Sequence, residues 1–351
     1  MHLVGTVFLD LVFTALHAQP RAGTEVHTEG LGTSPGGVAN TAVALSRLGA
    51  EVSLSAAFSG DAFGGYLWAR LAEEGVDLSA SRMVSNWSTP ITVSIANGYE
   101  RALVTHEAET PVGACDLVPP SLEVGALFVA PPSRSDLAWL RTLDPRPMVY
   151  LDCGWDADDR GRSLLAQLDR LDVLLPNELE AKSLAGKDDL LSAAVELGRV
   201  CSVVVKAGAQ GAVAIAPSGE VVVSGAVPSP VVDTTGAGDI FDAALIYGAL
   251  MGLRLEDQLA FANLCASLSV RYVGGALAAP CWRDIMAWWE SIGVGDELRS
   301  RYRFLPDIAP VVCLSPACHR AHPTLSLDEL GSIVSSERRL RPTGPEEVDH
   351  A

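Results

Sequence analysis

Three small residues, Gly236, Ala237 and Gly238, stand directly before Asp239 and the alanine-rich run 242–251. The run predicts a helix that begins at this turn, and the first N–H groups of a helix have no acceptor within it. Since the helix dipole adds positive potential at the same end, the turn is suited to holding an anion such as a phosphate. The Asp239 carboxylate would lie beside that anion, where it could accept a proton from a substrate hydroxyl. An aspartate that only caps a helix is the alternative interpretation.

A second group of residues suited to binding lies near the amino terminus, where Gly36 and Gly37 precede Asn40. Glycines let a backbone approach a polyhydroxy molecule closely. The asparagine amide offers both a donor and an acceptor to hydroxyl groups. A tight turn followed by an asparagine near a helix start explains the same residues without a ligand.

The elements that must position these residues alternate along the chain. Apolar runs predict strands at 3–9, 52–58, 126–129, 148–151, 173–175 and 203–206. Helical patterns occupy 43–48, 65–74 and 136–143, with a last amphipathic helix at 282–292. This alternation predicts a mostly parallel sheet covered by helices on both faces, with ligands at the carboxyl ends of its strands.

Two segments, 13–34 and 86–108, fit this scheme poorly and predict a small β-sheet that covers the site as a lid. We therefore expect one domain over 1–292. The pattern weakens from 293 onwards, and the last residues are rich in proline and charge. Residues 293–351 are predicted to be a carboxyl-terminal extension that is partly disordered.

The charge of the chain excludes some classes of partner. Its 351 residues include 25 Lys and Arg against 43 Asp and Glu, a net charge of −18. General nucleic-acid binding needs a basic face, which this balance argues against. The apolar run 3–16 contains Asp10 and follows no Lys or Arg, so we expect neither an export signal nor a membrane segment.

Seven scattered cysteines indicate reduced thiols and a cytoplasmic protein. Cys313, Cys318, His319 and His322 could suggest zinc, but the two cysteines are spaced too widely for a usual zinc site. We interpret these four as incidental residues of the extension.

The longer strings around both candidate sites resemble one family. The sequence Asp-Thr-Thr-Gly-Ala-Gly-Asp-Ile-Phe at 233–241 strongly resembles the second signature of the ribokinase-like (PfkB) carbohydrate kinases. Residues 35–49 are similar to the family's Gly-Gly…Asn segment, and residues 59–64 are similar to the stretch after it. In many members three residues separate the second glycine from the asparagine, whereas here only Val38 and Ala39 do. The resemblance covers roughly residues 1–290.

The resemblance implies a three-layer α/β/α fold with a β-sheet lid and an ATP-dependent kinase that acts on a small polyhydroxy substrate. Asp239 would be the general base, and Gly236, Ala237 and Gly238 would form the anion hole. The implied substrate contacts are Asp10, Gly36, Gly37, Asn40 and Arg101. The family's lid strands often pair between subunits, which implies a homodimer through the lid.

The same resemblance implies the positions of the nucleotide and its ions. The implied nucleotide contacts are Asn177, Lys206, Gly208, Gly211 and Asn263. Glu180 would support Mg²⁺ through water. A potassium ion, which many relatives use, would be held by backbone groups of Asp233, Thr235, Ser269 and Gly274. A solvent-exposed lysine at a strand end is the alternative interpretation of Lys206.

Three other functions compete with a sugar kinase. A nucleoside kinase of the same fold would need an aromatic or apolar wall for the base, for which Trp87 and Phe13 are candidates. A non-catalytic sugar or nucleotide sensor would be expected to lack the base or the anion turn. A dinucleotide-dependent oxidoreductase would need Gly-x-Gly-x-x-Gly after the first strand, where this chain has Asp10 and Leu11.

Overall fold

A twisted central sheet and a smaller second sheet organise the chain. The computed structural model describes residues 1–310, apart from positions 19, 98–99, 111, 120–121, 131–135, 155–163, 217 and 295. The strands are β1 (His2–Gly5), β2 (Val7–Leu16), β3 (Thr28–Gly37), β4 (Ser53–Ser55), β5 (Ala57–Ser59), β6 (Arg82–Val84), β7 (Ile91–Asn97), β8 (Glu100–His106), β9 (Ala126–Ala130), β10 (Met148–Leu151), β11 (Val173–Leu174), β12 (Ser202–Lys206), β13 (Ala212–Ile215) and β14 (Val221–Ser224).

The helices fill the layers on either side of the central sheet. They are α1 (Val38–Leu48), α2 (Ala62–Glu73), α3 (Ala114–Leu117), α4 (Glu178–Ala185), α5 (Leu190–Leu197), α6 (Ala237–Leu250), α7 (Leu255–Ser269), α8 (Gly275–Ala278), α9 (Trp282–Ser291), α10 (Glu297–Arg301) and α11 (Leu305–Ile308). Short 3₁₀ helices occupy Ala138–Thr142, Leu168–Arg170 and Gly208–Gln210.

The central sheet has the strand order β14-β13-β12-β11-β10-β9-β1-β4. Pairing is parallel from β4 to β12 and antiparallel for β13 and β14. Alternate residues of β9 enter different cores: Ala126 and Phe128 pack with α1, α6 and α7, and Leu127 and Val129 pack with α5. Strands buried on both faces in this way confirm the predicted three-layer α/β/α arrangement.

The second sheet has the order β3-β2-β7-β8 and stands apart from the central sheet. Its strands overlap both segments from which a lid was predicted. The predicted strand 3–9 is wrong as one element, because the chain leaves the central sheet after Gly5 and enters the second sheet at Val7. A Cβ at Gly5 would lie 2.8 Å from the Ala130 carbonyl oxygen, so the chain passes this point with no room for a side chain.

Part of the carboxyl-terminal segment belongs to the core. Tyr302 and Leu305 are fully buried, and the Tyr302 ring meets the Trp288 ring edge-on at 4.9 Å between centroids. Phe304 packs against Phe261 of α7 in the same way. Residues 311–351, with Cys313, Cys318, His319 and His322, lie outside the described residues.

The cysteines only partly follow the sequence prediction. Cys153, Cys201 and Cys265 are free. Cys281 is disulfide-bonded, so the expectation of a fully reduced set of thiols is wrong at that position. No helix within the described ranges is both long and apolar enough to cross a membrane.

We predict that Tyr302→Ala lowers the free energy of unfolding by about 3–5 kcal/mol, as truncation of a large buried aromatic side chain does elsewhere. Urea unfolding followed by fluorescence would measure the change. Val294→Ala is the control, because Val294 is 92% exposed and a surface truncation should cost less than about 0.5 kcal/mol. Equal midpoints for Tyr302→Ala and the wild type would show that this segment does not contribute to the core.

Candidate active site

The anion turn defined by Gly236–Gly238 opens helix α6 as the sequence predicted. Gly236 has φ 72°, a left-handed conformation that favours glycine, and its carbonyl accepts the Ile240 N–H at 2.9 Å. A Cβ at Gly236 would lie 2.9 Å from the Gly275 Cα, so another backbone packs directly behind the turn. The turn is half-buried, which leaves the amino end of α6 open on one side.

Asp239 is held by a residue from the opposite end of the chain. Asn40 Nδ2 donates to Asp239 Oδ2 at 2.8 Å, and Thr41 Oγ1 contacts the Asp239 backbone oxygen at 3.4 Å. Asn40 is buried, whereas Asp239 is half-buried. The amide therefore holds one oxygen of a carboxylate that is still partly accessible at the amino end of α6.

Asn40 reaches Asp239 from the amino end of α1. Gly37 has φ 63°, and α1 begins at the next residue, Val38. Asn40 therefore lies in the first turn of α1 and points its amide at α6. Among the described residues nothing donates to Asn40 Oδ1, which is buried against Gly275.

Asp10 lies on the second sheet beside the same glycines. It is opposite Ser34 on β3 and Thr92 on β7, and it is buried. A Cβ at Gly36 would lie 2.3 Å from the Asp10 carboxylate oxygens, so only glycine fits there. Arg101 belongs to β8, and its side chain lies outside the described residues.

Lys206 is buried in an ionic cluster, and the alternative of a solvent-exposed lysine is wrong. Its Nζ lies 3.0 Å from Asp152 Oδ2 and 2.7 Å from Asp242 Oδ2. The position of a Cβ built on Gly238 is 3.5 Å from the same Nζ, which places the ammonium beneath the anion turn. Burial opposes its charge, but Asp152 and Asp242 hold the pKa of Lys206 well above its usual range.

The two carboxylates of this cluster were missed by sequence reasoning. Asp152 directly follows β10, so its place at a strand's carboxyl end was an available signal. Asp242 is completely buried, and no pattern in an alanine-rich helix indicates that position. Burial, together with the neighbouring Asp152, raises the pKa of Asp242 well above its usual range, against the effect of Lys206.

Asn177 and Glu180 cap helix α4 reciprocally. Glu180 N donates to Asn177 Oδ1 at 3.0 Å, and Asn177 N donates to Glu180 Oε2 at 2.7 Å. Glu180 is buried, and burial together with the Asp152 charge raises its pKa. Ligand atoms of Asp152, Cys153 and Glu180 lie within 4.8 Å of one another. The two carboxylates suit Mg²⁺, whereas the thiol is a poor ligand for so hard an ion.

Asp233 joins the anion turn to the loop before α8. Its Oδ1 accepts from the Thr235 N–H at 2.9 Å and the Thr235 hydroxyl at 2.7 Å, and its Oδ2 accepts from the Gly274 N–H at 2.9 Å. Ser269 is buried and its hydroxyl donates to the Ala266 carbonyl. A potassium ion here would rely on carbonyl oxygens, because the Asp233 carboxylate is already used.

The remaining residues predicted to contact the nucleotide differ in their surroundings. Gly208 has φ 54° and open space around it, as a residue beside a ligand would. A Cβ at Gly211 would lie 2.0 Å from the Ser224 carbonyl oxygen, so this glycine is required for packing. Asn263 is buried, and its Nδ2 donates to the Ser224 backbone oxygen at 2.9 Å. It joins α7 to β14, and its contact with a nucleotide stays a prediction.

Comparison with known proteins agrees with this arrangement. Residues 2–113 and 137–281 match the model of the pfkB family carbohydrate kinases. A ribokinase from Bacillus subtilis is 30% identical over 295 residues, which is 81% of this chain and 97% of that protein.

Solved structures show the same fold. A ribokinase from Thermotoga maritima superposes with a TM-score of 0.69 at 22% identity, covering 83% of this chain and 99% of the other. A Cryptococcus neoformans ribokinase in complex with ADP gives 0.68 at 23% identity, covering 82% and 98%. The anion turn, its aspartate and the match over most of the length lead to one conclusion. This chain belongs to the pfkB family of carbohydrate kinases and is a phosphotransferase.

Proposed function

We propose that the protein transfers the γ-phosphoryl group of ATP to a hydroxyl of a small, neutral sugar or related polyol. The observation that carries this proposal is the Asp239 carboxylate, which Asn40 orients in the first helical turn beside the anion turn. Phosphoryl transfer needs alignment and neutralisation of charge more than covalent participation by the protein. The site offers both: a fixed base, and backbone N–H groups at the end of a helix dipole.

Each residue of the site has a distinct role in this proposal. Asp239 accepts the proton of the attacking hydroxyl as its oxygen bonds to phosphorus. The backbone N–H groups of Gly236, Ala237 and Gly238 stabilise charge on the transferring group. Asp10 accepts hydrogen bonds from other hydroxyls of the acceptor, with Gly36 and Gly37 giving close backbone approach, while Asn40 holds Asp239 in place. The second sheet covers the acceptor and excludes water.

Two carboxylates at the acceptor site favour a neutral acceptor. Asp10 and Asp239 would repel a sugar acid or sugar phosphate, so an anionic acceptor would depend on Arg101, the cation predicted to contact the substrate. A nucleoside is also disfavoured. Phe13 lies on the opposite face of β2 from Asp10, since side chains alternate along a strand. Trp87 lines a cavity of about 20 Å³ next to Gly5 and Thr6, which is far too small for a nucleobase.

The nucleotide would lie along the carboxyl ends of β11 and β12. Lys206 places a buried positive charge beneath the phosphates, and Gly208 borders their path. When bound, Mg²⁺ would neutralise phosphate charge, with Glu180 and Asp152 supporting it through water. The potassium ion at Asp233, Thr235, Ser269 and Gly274 and the homodimer through the second sheet remain predictions from the family resemblance.

Asp239→Asn tests the base. We expect kcat to fall by about 10²–10⁴-fold because the amide cannot take the proton. KM for ATP should change little, since the anion turn keeps its backbone groups. Coupled measurement of ADP release gives both constants. Asp257→Asn on α7, whose carboxylate pairs with Arg254, is the control. Near-normal turnover of Asp239→Asn would remove Asp239 from the mechanism.

The acceptor class is tested by ADP release with a matched panel of pentoses, hexoses, sugar acids, sugar phosphates and nucleosides. We expect a neutral sugar or polyol to give the highest kcat/KM, because two carboxylates face the acceptor. A nucleoside or an anionic sugar as best acceptor would contradict that part of the proposal while leaving the kinase reaction intact.

Glu180→Gln separates the helix cap from the metal role. Glutamine can also close a capping box, so the unfolding midpoint should hardly move. The Mg²⁺ concentration needed for half-maximal rate should rise several-fold, because one charge of the water-mediated site is lost. Glu178→Gln, which removes a first-turn carboxylate paired with Lys182, is the control. An unchanged Mg²⁺ dependence would leave Glu180 with the capping role alone.

A further inference from the structure

A buried arginine lies behind the site and has no place in the mechanism above. The Arg47 side chain is completely buried in α1. Its Nε and Nη2 donate to the two carboxylate oxygens of Glu74 at 2.8 and 2.7 Å. Its Nη1 donates to the backbone oxygens of Leu277 and Ala279 at 3.0 and 2.8 Å.

These two carbonyls belong to the carboxyl end of α8, a single turn that could not be stable alone. The last carbonyls of a helix have no partner within it, and a guanidinium satisfies them with its fixed fork of donors. Glu74 neutralises the cation that would otherwise be costly in this buried place. Arg47 thus fixes α8 to α1 and to the end of α2.

The other end of α8 forms part of the active-site wall. Gly274 N donates to Asp233 Oδ2, and Asp233 Oδ1 accepts from the Thr235 N–H just before the anion turn. A Cβ at Gly275 would lie 2.6 Å from Asn40 Oδ1, and Gly236 packs against the Gly275 Cα. A small movement of α8 would therefore displace both the amide that orients Asp239 and the turn that holds the phosphate.

Asn40 and Arg47 lie on the same face of α1. They are seven residues apart, about two helical turns, and Asn40 contacts Asp239 of α6 while Arg47 contacts the end of α8. We propose that Arg47 is a positioning residue for phosphoryl transfer: it holds α8 in the place where Gly275 supports Asn40 and Gly236. This inference rests on the proposed roles of Asn40 and Asp239.

Arg47→Lys keeps the charge but loses the fork. We expect kcat to fall about 10–100-fold, the effect of a small misplacement of reacting groups, with KM for ATP changed less than about twofold. Arg70→Lys is the matched control, since Arg70 pairs with Glu73 within α2 at 3.0 Å. A lower melting temperature with unchanged kcat per folded molecule would reduce Arg47 to a structural residue and overturn the proposal.

A double-mutant cycle tests whether Arg47 acts through Asn40. We expect Arg47→Lys and Asn40→Ala together to lower kcat by clearly less than the product of their separate effects. The full product would overturn the proposed route.

Gly275→Ala tests the same contact if Arg47→Lys does not fold. It should lower kcat, because the new Cβ would collide with Asn40 Oδ1. Gly252→Ala is the control: Gly252 also has a positive φ, 72°, but a Cβ there would meet no neighbouring atom. Equal kcat for these two glycine variants would count against the proposal.

A crystal structure of Arg47→Lys, or of Gly275→Ala if the former does not fold, gives a readout that does not depend on activity. We expect the distance from Asn40 Nδ2 to Asp239 Oδ2 to lengthen beyond hydrogen-bonding range. An unchanged distance would refute the positioning role, even if no acceptor were known. Absence of phosphoryl transfer in the wild type with every acceptor would instead refute the proposed function.

Discussion

Close backbone packing at one point, where Gly236, Gly275 and Asn40 meet, is the constraint on which the site depends. Neither glycine can carry a Cβ without collision, and both adopt positive φ angles. This approach brings the amino end of α1 to the amino end of α6, so that the Asn40 amide can orient the Asp239 carboxylate. The fold must bring together segments 199 residues apart to build one hydrogen bond.

Buried charge forms a second layer beneath the anion turn. Lys206 joins the ends of β10 and β12 to α6 through Asp152 and Asp242. A buried pair of this kind is weak support for stability in general, because removing the ions from water costs about as much as their attraction returns. Its effect here is positional: it holds α6, with the anion turn at its amino end, against the sheet.

The sequence predicted the parts of the site that depend on local chemistry. A turn of small residues before a helix is suited to an anion, and the string around it resembles the family's second signature, so Gly236–Gly238 and Asp239 could be proposed without tertiary contacts. The layer order also followed from the alternation of strands and helices. Element boundaries were less certain: the predicted strand 52–58 divides into β4 and β5, which belong to different sheets.

The sequence alone determined the residue types that can do the chemistry and the fold family that carries them. Only the tertiary structure decided how they are used. In the folded chain Lys206 at the end of β12 is an ion-paired cation, Glu180 caps a helix, and Asn263 donates a hydrogen bond to β14. The fold also brings Arg47 to α8, across 230 residues of chain. These roles arise from contacts between distant segments, and no local pattern of residues records which segments the packed layers will bring together.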